Sequence, residues 1–479
     1  MVAQRIIMNK KLQQFKYILL DVLSATIAWF MFFVYRKQVV EPQLFGVDIP
    51  ILFDAKFWTG ISSISVFWIL LYTVFGYYRN VYRKSRLIEL GETLVQCVFG
   101  VLIIFFVALL DDSIPSYKNY YSSLATLFGV HFSLTYLFRF LFTSRTAYRI
   151  HNRKIGFNTL IVGGAETAVE MFNNLTKSPK SGGNFIVGFV NGMDDKGHLL
   201  EAYIPYLGSY KDLKAVIENE SIEEVLISIE RSEQQHILEE IINELEGVDV
   251  LIKVKPNNYD ILAGKVKMKS MFDVPLIEIK HDLMPVWQFV LKRIMDIVLS
   301  VLAMSLLFPI YLIAIILVKL SSNGPVFYFQ ERLGIHRNLF KIIKFRSMYV
   351  NAEELGPQLS QDNDVRITKW GKIMRQYRID ELPQFWNVLV GEMSIVGPRP
   401  ERVFYANKIV LKAPHYKHIH KVKPGITSWG MVKYGYASTV DEMVERLKFD
   451  VIYIENMSIF NDLKVLIYTF KIVFQGRGK

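Results

Sequence analysis

Four apolar stretches crowd the first third of this chain, at about 17–35, 57–78, 94–110 and 121–142, each close to the roughly 20 residues that a bilayer crossing needs. Hydrocarbon offers the backbone no hydrogen bonds, so such stretches are expected as membrane-spanning helices. The first lacks a small-residue cleavage pattern and is followed by the others, so it reads as a retained span and not as a removed signal peptide. Basic residues flank three points: Arg5, Lys10, Lys11 and Lys16 at the start, Arg79, Arg83, Lys84 and Arg86 after the second stretch, and Arg145, Arg149, Arg153 and Lys154 after the fourth. The other two connections are poorer in basic residues and hold Asp48, Asp54, Asp111 and Asp112. By the positive-inside rule, both ends of the set face the cytoplasm. Asp21 and Arg139 lie within the spans and are expected to pair in the bundle interior or to snorkel, ahead of marking a transport path.

The chain has 479 residues, room for about three domains, and carries a net charge of +11 from 56 Lys and Arg against 45 Asp and Glu. Because the basic clusters border apolar runs, the expected anionic partner is a membrane surface and not nucleic acid. The single cysteine, Cys97, excludes an intrachain disulfide framework and fits a cytosol-facing protein.

From about residue 158 to 273 the pattern is that of a soluble α/β domain. Thr159-Leu-Ile-Val-Gly-Gly-Ala-Glu reads as a buried strand entering a glycine turn, with further strands expected at 185–190, 224–229 and 248–253 and helical patterns at 167–175, 211–218 and 233–245. Strands alternating with helices predict a parallel, Rossmann-like sheet. Adjacent Gly163 and Gly164, with Thr167 and Ala168 where a third glycine would help, make a weak dinucleotide fingerprint, so a scaffold or regulatory role is expected and no cofactor site is assigned.

Lys292 and Arg293 open the last part, followed by an apolar run at 294–318 with Pro309 inside it. Pro removes a backbone donor and kinks a helix. With basic residues at both ends, the run is expected to enter one leaflet, break near Pro309 and return; a fifth span is the alternative. Two short strands at 326–332 and 339–346 follow, the second ending Lys344-Phe-Arg-Ser-Met, and then a basic helix at 368–377 bearing Arg375. Leu382, Phe385, Trp386 and Leu389 next fall on one helical face, with Asp380 expected as that helix's N-cap and Glu381 beside it. At a helix start, both acids can point into one cleft that also attracts phosphate. A rigid Gly-Pro-Arg-Pro turn then presents Arg399.

Five motifs occur in order over about residues 285–479: Lys292-Arg293 with Asp296, Lys344-Phe-Arg-Ser-Met, Asp380-Glu-Leu-Pro-Gln-Phe-Trp-Asn-Val-Leu, Val396-Gly-Pro-Arg-Pro and Pro424-Gly-Ile-Thr. Together they resemble the bacterial sugar transferase family, the monotopic polyprenyl phosphate phosphoglycosyl transferases. The spans and the α/β domain resemble the long form of that family, which starts capsule, exopolysaccharide or O-antigen repeat units. The expected fold is thus membrane α plus α/β: a four-helix transmembrane bundle over 1–150, a Rossmann-like parallel-sheet domain over 151–275, and a mainly α catalytic domain over 276–479 with a re-entrant membrane helix hairpin at about 292–320.

The resemblance implies transfer of a hexose phosphate from a UDP-sugar to undecaprenyl phosphate at the bacterial inner membrane, with release of UMP. It further implies Mg²⁺ as cofactor, Asp380 as nucleophile in a covalent aspartyl-phosphosugar intermediate, and Glu381 as the second acid, with Asp380 and Glu381 as metal ligands. Lys344, Arg375 and Arg399 match phosphate-binding positions. Arg346, Asp450 and Asp462 are weaker candidates, and His336, His415, His418 and His420 lack a metal-ligand spacing and read as solvated. The sugar is not legible, and oligomeric state is left open, a homodimer being compatible with the size of the chain. A NAD-dependent nucleotide-sugar enzyme would need a stronger glycine fingerprint and a Tyr-x-x-x-Lys pair in the middle domain. A non-enzymatic assembly protein would not need Asp380, Glu381 and Arg399 intact. Direct attack of the lipid phosphate, without the covalent step, is the narrower alternative.

Overall fold

The computed structural model describes residues 9–47, 50–109, 117–178, 180–192, 198–229, 231–245, 247–262, 276–279, 283–352, 356, 358, 364–435 and 437–474. They fall into two compact units, Met1–His281 and Asp282–Lys479.

The first unit begins with α1 (Lys10–Tyr35), a short α2 (Glu41–Phe45), α3 (Ala55–Val74), α4 (Arg86–Ile104) and α5 (Tyr117–His151). Four segments are long and apolar enough to cross a membrane: Lys10–Gln43, Ala55–Val74, Arg86–Ala108 and Asn119–His151. Asn9 and Asp54 cap α1 and α3 by accepting from the third backbone N–H inward, where orphan donors need a partner. The helices pack α1 on α3 and α5, and α4 on α5, around Tyr17, Phe32, Trp68, Tyr72 and Val101. A charged pair sits inside that apolar packing. Arg139 grips Asp21 with two bonds (Nε to Oδ1, 2.9 Å; Nη2 to Oδ2, 3.0 Å), and its Nη1 donates to Thr93 and Gln96. Tyr78 completes the carboxylate at 2.8 Å, and the Tyr77 ring lies 3.6 Å from the guanidinium carbon. The expectation of an interior pair holds, and its physical basis is that each charge is fully bonded where water is absent.

The α/β part carries six strands in the order β3-β2-β1-β4-β5-β6: β1 Phe157–Val162, β2 Asn184–Asn191, β3 Tyr206–Ser209, β4 Glu224–Ile227, β5 Leu251–Val254 and β6 Ile277–Ile279. Neighbours from β3 to β5 run parallel, with α6 (Glu166–Lys177), α7 (Leu213–Asn219) and α8 (Arg231–Glu244) between strands and a short α9 (Asn258–Leu262) after β5. The edge strand β6 is antiparallel, so the sheet is mixed and reaches past the expected boundary at 275. β5 also starts three residues later than the pattern at 248–253 implies, while β3 and β6, at four and three residues, are too short to show a period. Gly163 leaves β1 at φ +124°, and a Cβ there would stand 2.4 Å from the Ser228 carbonyl oxygen. That glycine serves close approach of β1 and β4. Buried Glu224, at the head of β4, binds Lys253 and, at 2.9 Å, Arg83 from the segment between α3 and α4. This ion pair ties the segment between α3 and α4 to the sheet.

In the second unit, α10 (Val286–Leu306) and α11 (Phe308–Ser321) meet at Leu307 with a 62° bend. The expected break at Pro309 moves back two residues. Pro309 sits in the first turn of α11, where its missing N–H costs no hydrogen bond. The antiparallel pair β7 (Phe327–Leu333) and β8 (Leu339–Phe345) follows, then α12 (Lys369–Gln376), α13 (Gln384–Val390), and β9 (Ser394–Val396) paired in parallel with β10 (Gly425–Thr427). α14 (Val403–Lys412), α15 (Trp429–Lys433), α16 (Val440–Glu455) and α17 (Ile459–Phe474) close a core built on Ile342, Val388, Val396, Ile409 and Leu447.

Replacing Arg139 by Leu strands the Asp21 carboxylate among apolar side chains, and losing one partner of such a pair costs about 3–5 kcal/mol. The expected result is a clear drop in the thermal unfolding midpoint of the full chain in detergent, partly restored by adding Asp21→Asn.

Candidate active site

β8 points Phe340 and Ile342 into the core, and the two-residue period carries Lys344 onto the same inward face. A cation in a core register needs an anion. It finds one in the turn after α12. Thr368 caps α12 through Gly371 N at 2.9 Å, and Gly371 is glycine because a Cβ there would lie 2.0 Å from the Ser347 carbonyl oxygen. Arg375 sits in the last turn. Arg378 then takes the left-handed conformation (φ 57°), uncommon for a residue with a side chain, and turns the chain into the 3₁₀ segment Ile379–Glu381.

Asp380 is therefore not a helix N-cap, contrary to the sequence expectation. α13 starts only at Gln384, behind a 3₁₀ turn closed by the tighter bonds from Glu381 N to Arg378 O and from Leu382 N to Ile379 O. The buried face of α13 differs as well. Trp386 is 53% exposed, while Gln384, Asn387 and Val388 are buried. Asn387 is inside because its side-chain amide joins the edge of β8, donating to Lys341 O at 2.8 Å and accepting from Ile343 N at 3.1 Å.

Asp380 and Glu381 are 6% and 9% exposed. Glu381 accepts from Lys344 Nζ at 3.0 Å and from Arg378 Nη1 at 3.2 Å, with Arg399 Nη1 at 3.9 Å. Arg399 is presented by the turn after β9, which β10 pins through Gly397 N to Thr427 O and Gly425 N to Pro398 O. Burial alone would raise the Glu381 carboxyl, but Lys344, Arg378 and Arg399 outweigh it and hold Glu381 well below the usual carboxylate range. Asp380 goes the other way. Burial, aided by the Glu381 charge and opposed by Lys344, pushes it up to about 6. Burial also lowers Lys344. Both acids open into a cavity of about 300 Å³ lined, among the described residues, by eight cationic side chains and three carboxylates.

Similarity to known proteins agrees with this geometry. Residues 287–476 match the family described as "Bacterial sugar transferase", and residues 73–256 match one described as "CoA-binding domain". The UDP-glucose:undecaprenyl-phosphate glucose-1-phosphate transferase of Klebsiella pneumoniae is 30% identical over 68% of this chain and 69% of its own length. The chain belongs to the bacterial sugar transferase family. A protein of the same description from Xanthomonas campestris pv. campestris is 32% identical over 65% of each chain. The UDP-N-acetylgalactosamine-undecaprenyl-phosphate N-acetylgalactosaminephosphotransferase of Aeromonas hydrophila is 40% identical over 46% of this chain and 51% of its own length. The chain thus matches between half and about two thirds of the length of these relatives.

Lys344, Arg375, Asp380, Glu381 and Arg399 all line one cavity. Arg346 lines it too, yet its guanidinium is committed to the carbonyls of Ser322 (2.6 Å) and Asn323 (3.1 Å) just after α11. Asp450 accepts from Gly430 N at 2.9 Å, and Asp462 binds Lys292 at 2.6 Å. The solvated reading fails for His420, which is buried with Nδ1 3.2 Å from Gly334 O and its pKa lowered to about 4 by burial. His418 meets Glu455 at 2.6 Å, and His336 and His415 are exposed. Sequence reading missed Arg378, whose position next to the acidic pair was a usable signal. It also missed Arg332, Glu401, Arg402 and Arg446 on the cavity wall, where only the fold brings them together. No cluster of three or more His, Cys, Asp or Glu side chains suited to a metal occurs among the described residues.

Folding raises Asp380 above its unfolded value, so its contribution to stability is full below about pH 4 and is lost as pH rises through about 6. Asp380→Asn should therefore unfold a few degrees higher than the parent at pH 8, the gap closing towards pH 4, as read by thermal unfolding in detergent.

Proposed function

We propose that the second unit moves a sugar phosphate from a UDP-sugar to undecaprenyl phosphate, releasing UMP, at the cytoplasmic face of the bacterial inner membrane, as the first membrane step of a surface polysaccharide. The observation that carries this reading is the buried Asp380, raised towards neutrality, in a cavity where cations outnumber carboxylates. Relatives named for glucose and for N-acetylgalactosamine leave the sugar itself unassigned.

An Asp380 oxygen attacks the sugar-bearing phosphorus, the bond from that phosphorus to the bridging oxygen breaks, and UMP departs with the electron pair. The phosphosugar stays on Asp380 as an acyl phosphate. An oxygen of the lipid phosphate then attacks the same phosphorus and Asp380 leaves as carboxylate. Lys344, Arg375 and Arg399 face the charge that gathers on the transferring oxygens, the term expected to dominate such a reaction. Glu381 orients Lys344 and Arg378.

Asp380 is the carboxylate open to Mg²⁺ when a substrate supplies phosphate oxygens, and Glu381 would join it only by giving up a bond to Lys344 or Arg378. When bound, the ion would neutralise the diphosphate.

The hairpin of α10 and α11 supports access to lipid. Asp296 and Ser300 are buried in the unit, whereas Leu302, Leu306, Phe308 and Ile313 face outward. An apolar outer surface with Lys319 at its end suits a helix pair that dips into one leaflet and returns.

Purified protein with Mg²⁺, polyprenyl phosphate and a panel of UDP-sugars should release UMP from one donor, and Asp380→Asn should lower that rate at least about a thousandfold. A fully active Asp380→Asn protein would remove the covalent role. Since Asp380 must be ionised to attack, kcat/KM for the donor should fall about tenfold per unit below about pH 6. Glu381→Gln removes a negative neighbour and releases Lys344, so the acidic limb should shift to lower pH.

A further inference from the structure

The cavity runs on beyond the groups that the transfer chemistry uses. Asp380 has Lys344, Arg375 and Arg378 as its cationic neighbours. Arg399 reaches Glu381 on one side and, through Nη1, the Met431 sulfur at 3.4 Å on the other. Next comes Arg332, whose charged neighbours are Glu401, Arg399 and Arg402. Glu401 holds Arg446, and stands 3.9 Å from Arg332. Arg332 is further fixed by Pro400 O at 3.0 Å and Gln330 Oε1 at 2.6 Å. Glu401 and Arg446 are each 5% exposed. Glu401 therefore gathers a second set of guanidinium groups, with Arg402 beside it and with Asp450 as the other carboxylate next to Arg446, so that among the described residues three arginines stand against two carboxylates there.

We propose that this far end, with Arg402 and Arg446 held around Glu401 beyond Arg399, is the subsite for the leaving nucleoside monophosphate. The inference rests on the transfer reading above. Three observations carry it. In-line displacement puts the departing oxygen opposite the attacking one, so the leaving half of the donor lies on the side of the transferring phosphorus away from Asp380. Arg402 and Arg446 line the same cavity but are not among Lys344, Arg375 and Arg378, the cations that act on Asp380, so they are left for the departing half, and Arg forks suit phosphate oxygens.

The lining beyond the arginines is Tyr405, Met431, Ala437 and Met443, a soft surface for the sugar and base of a nucleoside. Asp450 holds this wall by accepting from Gly430 N at 2.9 Å, and Ser428 caps α15 by accepting from Met431 N at 2.9 Å. Phe327 also lines the cavity, next to Phe345. Phe345 stacks on Phe327 (5.4 Å between ring centres) and meets Tyr311 of α11 edge-on at 5.6 Å. That part of the lining adjoins α11 and suits the lipid acceptor, leaving the polar donor the arginines.

The test is equilibrium binding of UMP to the full chain in detergent, for the parent, Arg402→Gln and Arg446→Lys, together with kcat/KM for each substrate. Arg402 is half-exposed at the N-terminus of α14, so its variant keeps the assay meaningful even where a change at buried Arg446 harms folding. UMP affinity should fall about tenfold or more in both variants, kcat/KM for the UDP-sugar should fall in step, and kcat/KM for polyprenyl phosphate should stay within about twofold. Asp380→Asn should keep its UMP affinity. Unchanged UMP affinity in the variants, no UMP binding by the parent, or an equal fall in both specificity constants overturns the subsite. Because UMP binding is read without turnover, arginine-dependent binding in a protein that transfers nothing would uphold the subsite while removing the transfer reading.

Discussion

The ion pairs of Glu381 with Lys344 and Arg378 set the charge state of everything around them. Two adjacent buried carboxylates cannot both ionise cheaply, and here the cations are spent on one of them. Glu381 is kept charged, Asp380 is left with the burial penalty, and the pair separates into a fixed anion and a basic carboxylate. The arrangement needs Lys344 in a core register of β8, the left-handed Arg378 and the pinned turn under Arg399. The strand pair, the 3₁₀ turn and the β9–β10 pair exist, in this sense, to deliver three cations to one oxygen pair.

Much of this was legible in the residues, and the failures have physical causes. The two strands around Gly334 and the basic helix behind Thr368 are found within a residue or two, because their periods and caps are local properties. The interior pairing of Asp21 with Arg139 followed from the cost of charge in hydrocarbon. The helix cap at Asp380 was wrong because the left-handed Arg378 leads the chain into a 3₁₀ turn over Ile379–Glu381, which an apolar repeat does not register. The buried side of α13 was wrong because Asn387 pairs with β8, and a polar side chain acting as a strand partner looks like surface. His420 was misread for a similar reason: its burial comes from packing near Gly334, distant in sequence. The arginine set at 332, 402 and 446 spans more than a hundred residues, so only the fold assembles it.

The bent pair of α10 and α11 and the site are built from shared bonds. Arg293 in α10 donates to the carbonyls of Val388 (2.6 Å) and Leu389 (2.8 Å), which satisfies the C-terminal end of α13. Asp296, one turn on, accepts from Ser394 Oγ and Ile395 N and so holds β9. Lys292 reaches Val396 O at 2.9 Å, and Tyr311 of α11 donates to Leu382 O at 2.6 Å, immediately after the acidic pair.

The bent pair is consequently no detachable anchor. A shortened protein without residues 286–321, made to obtain a water-soluble enzyme, would lose the side chains that satisfy the end of α13, the backbone of β9 and the Leu382 carbonyl all at once. A soluble version has to keep Lys292, Arg293, Asp296 and Tyr311 in place and replace the outward-facing leucines, isoleucines and phenylalanines with polar residues. The engineering problem is one of repainting a surface, and cutting the segment away would remove the bonds that hold the elements around the site.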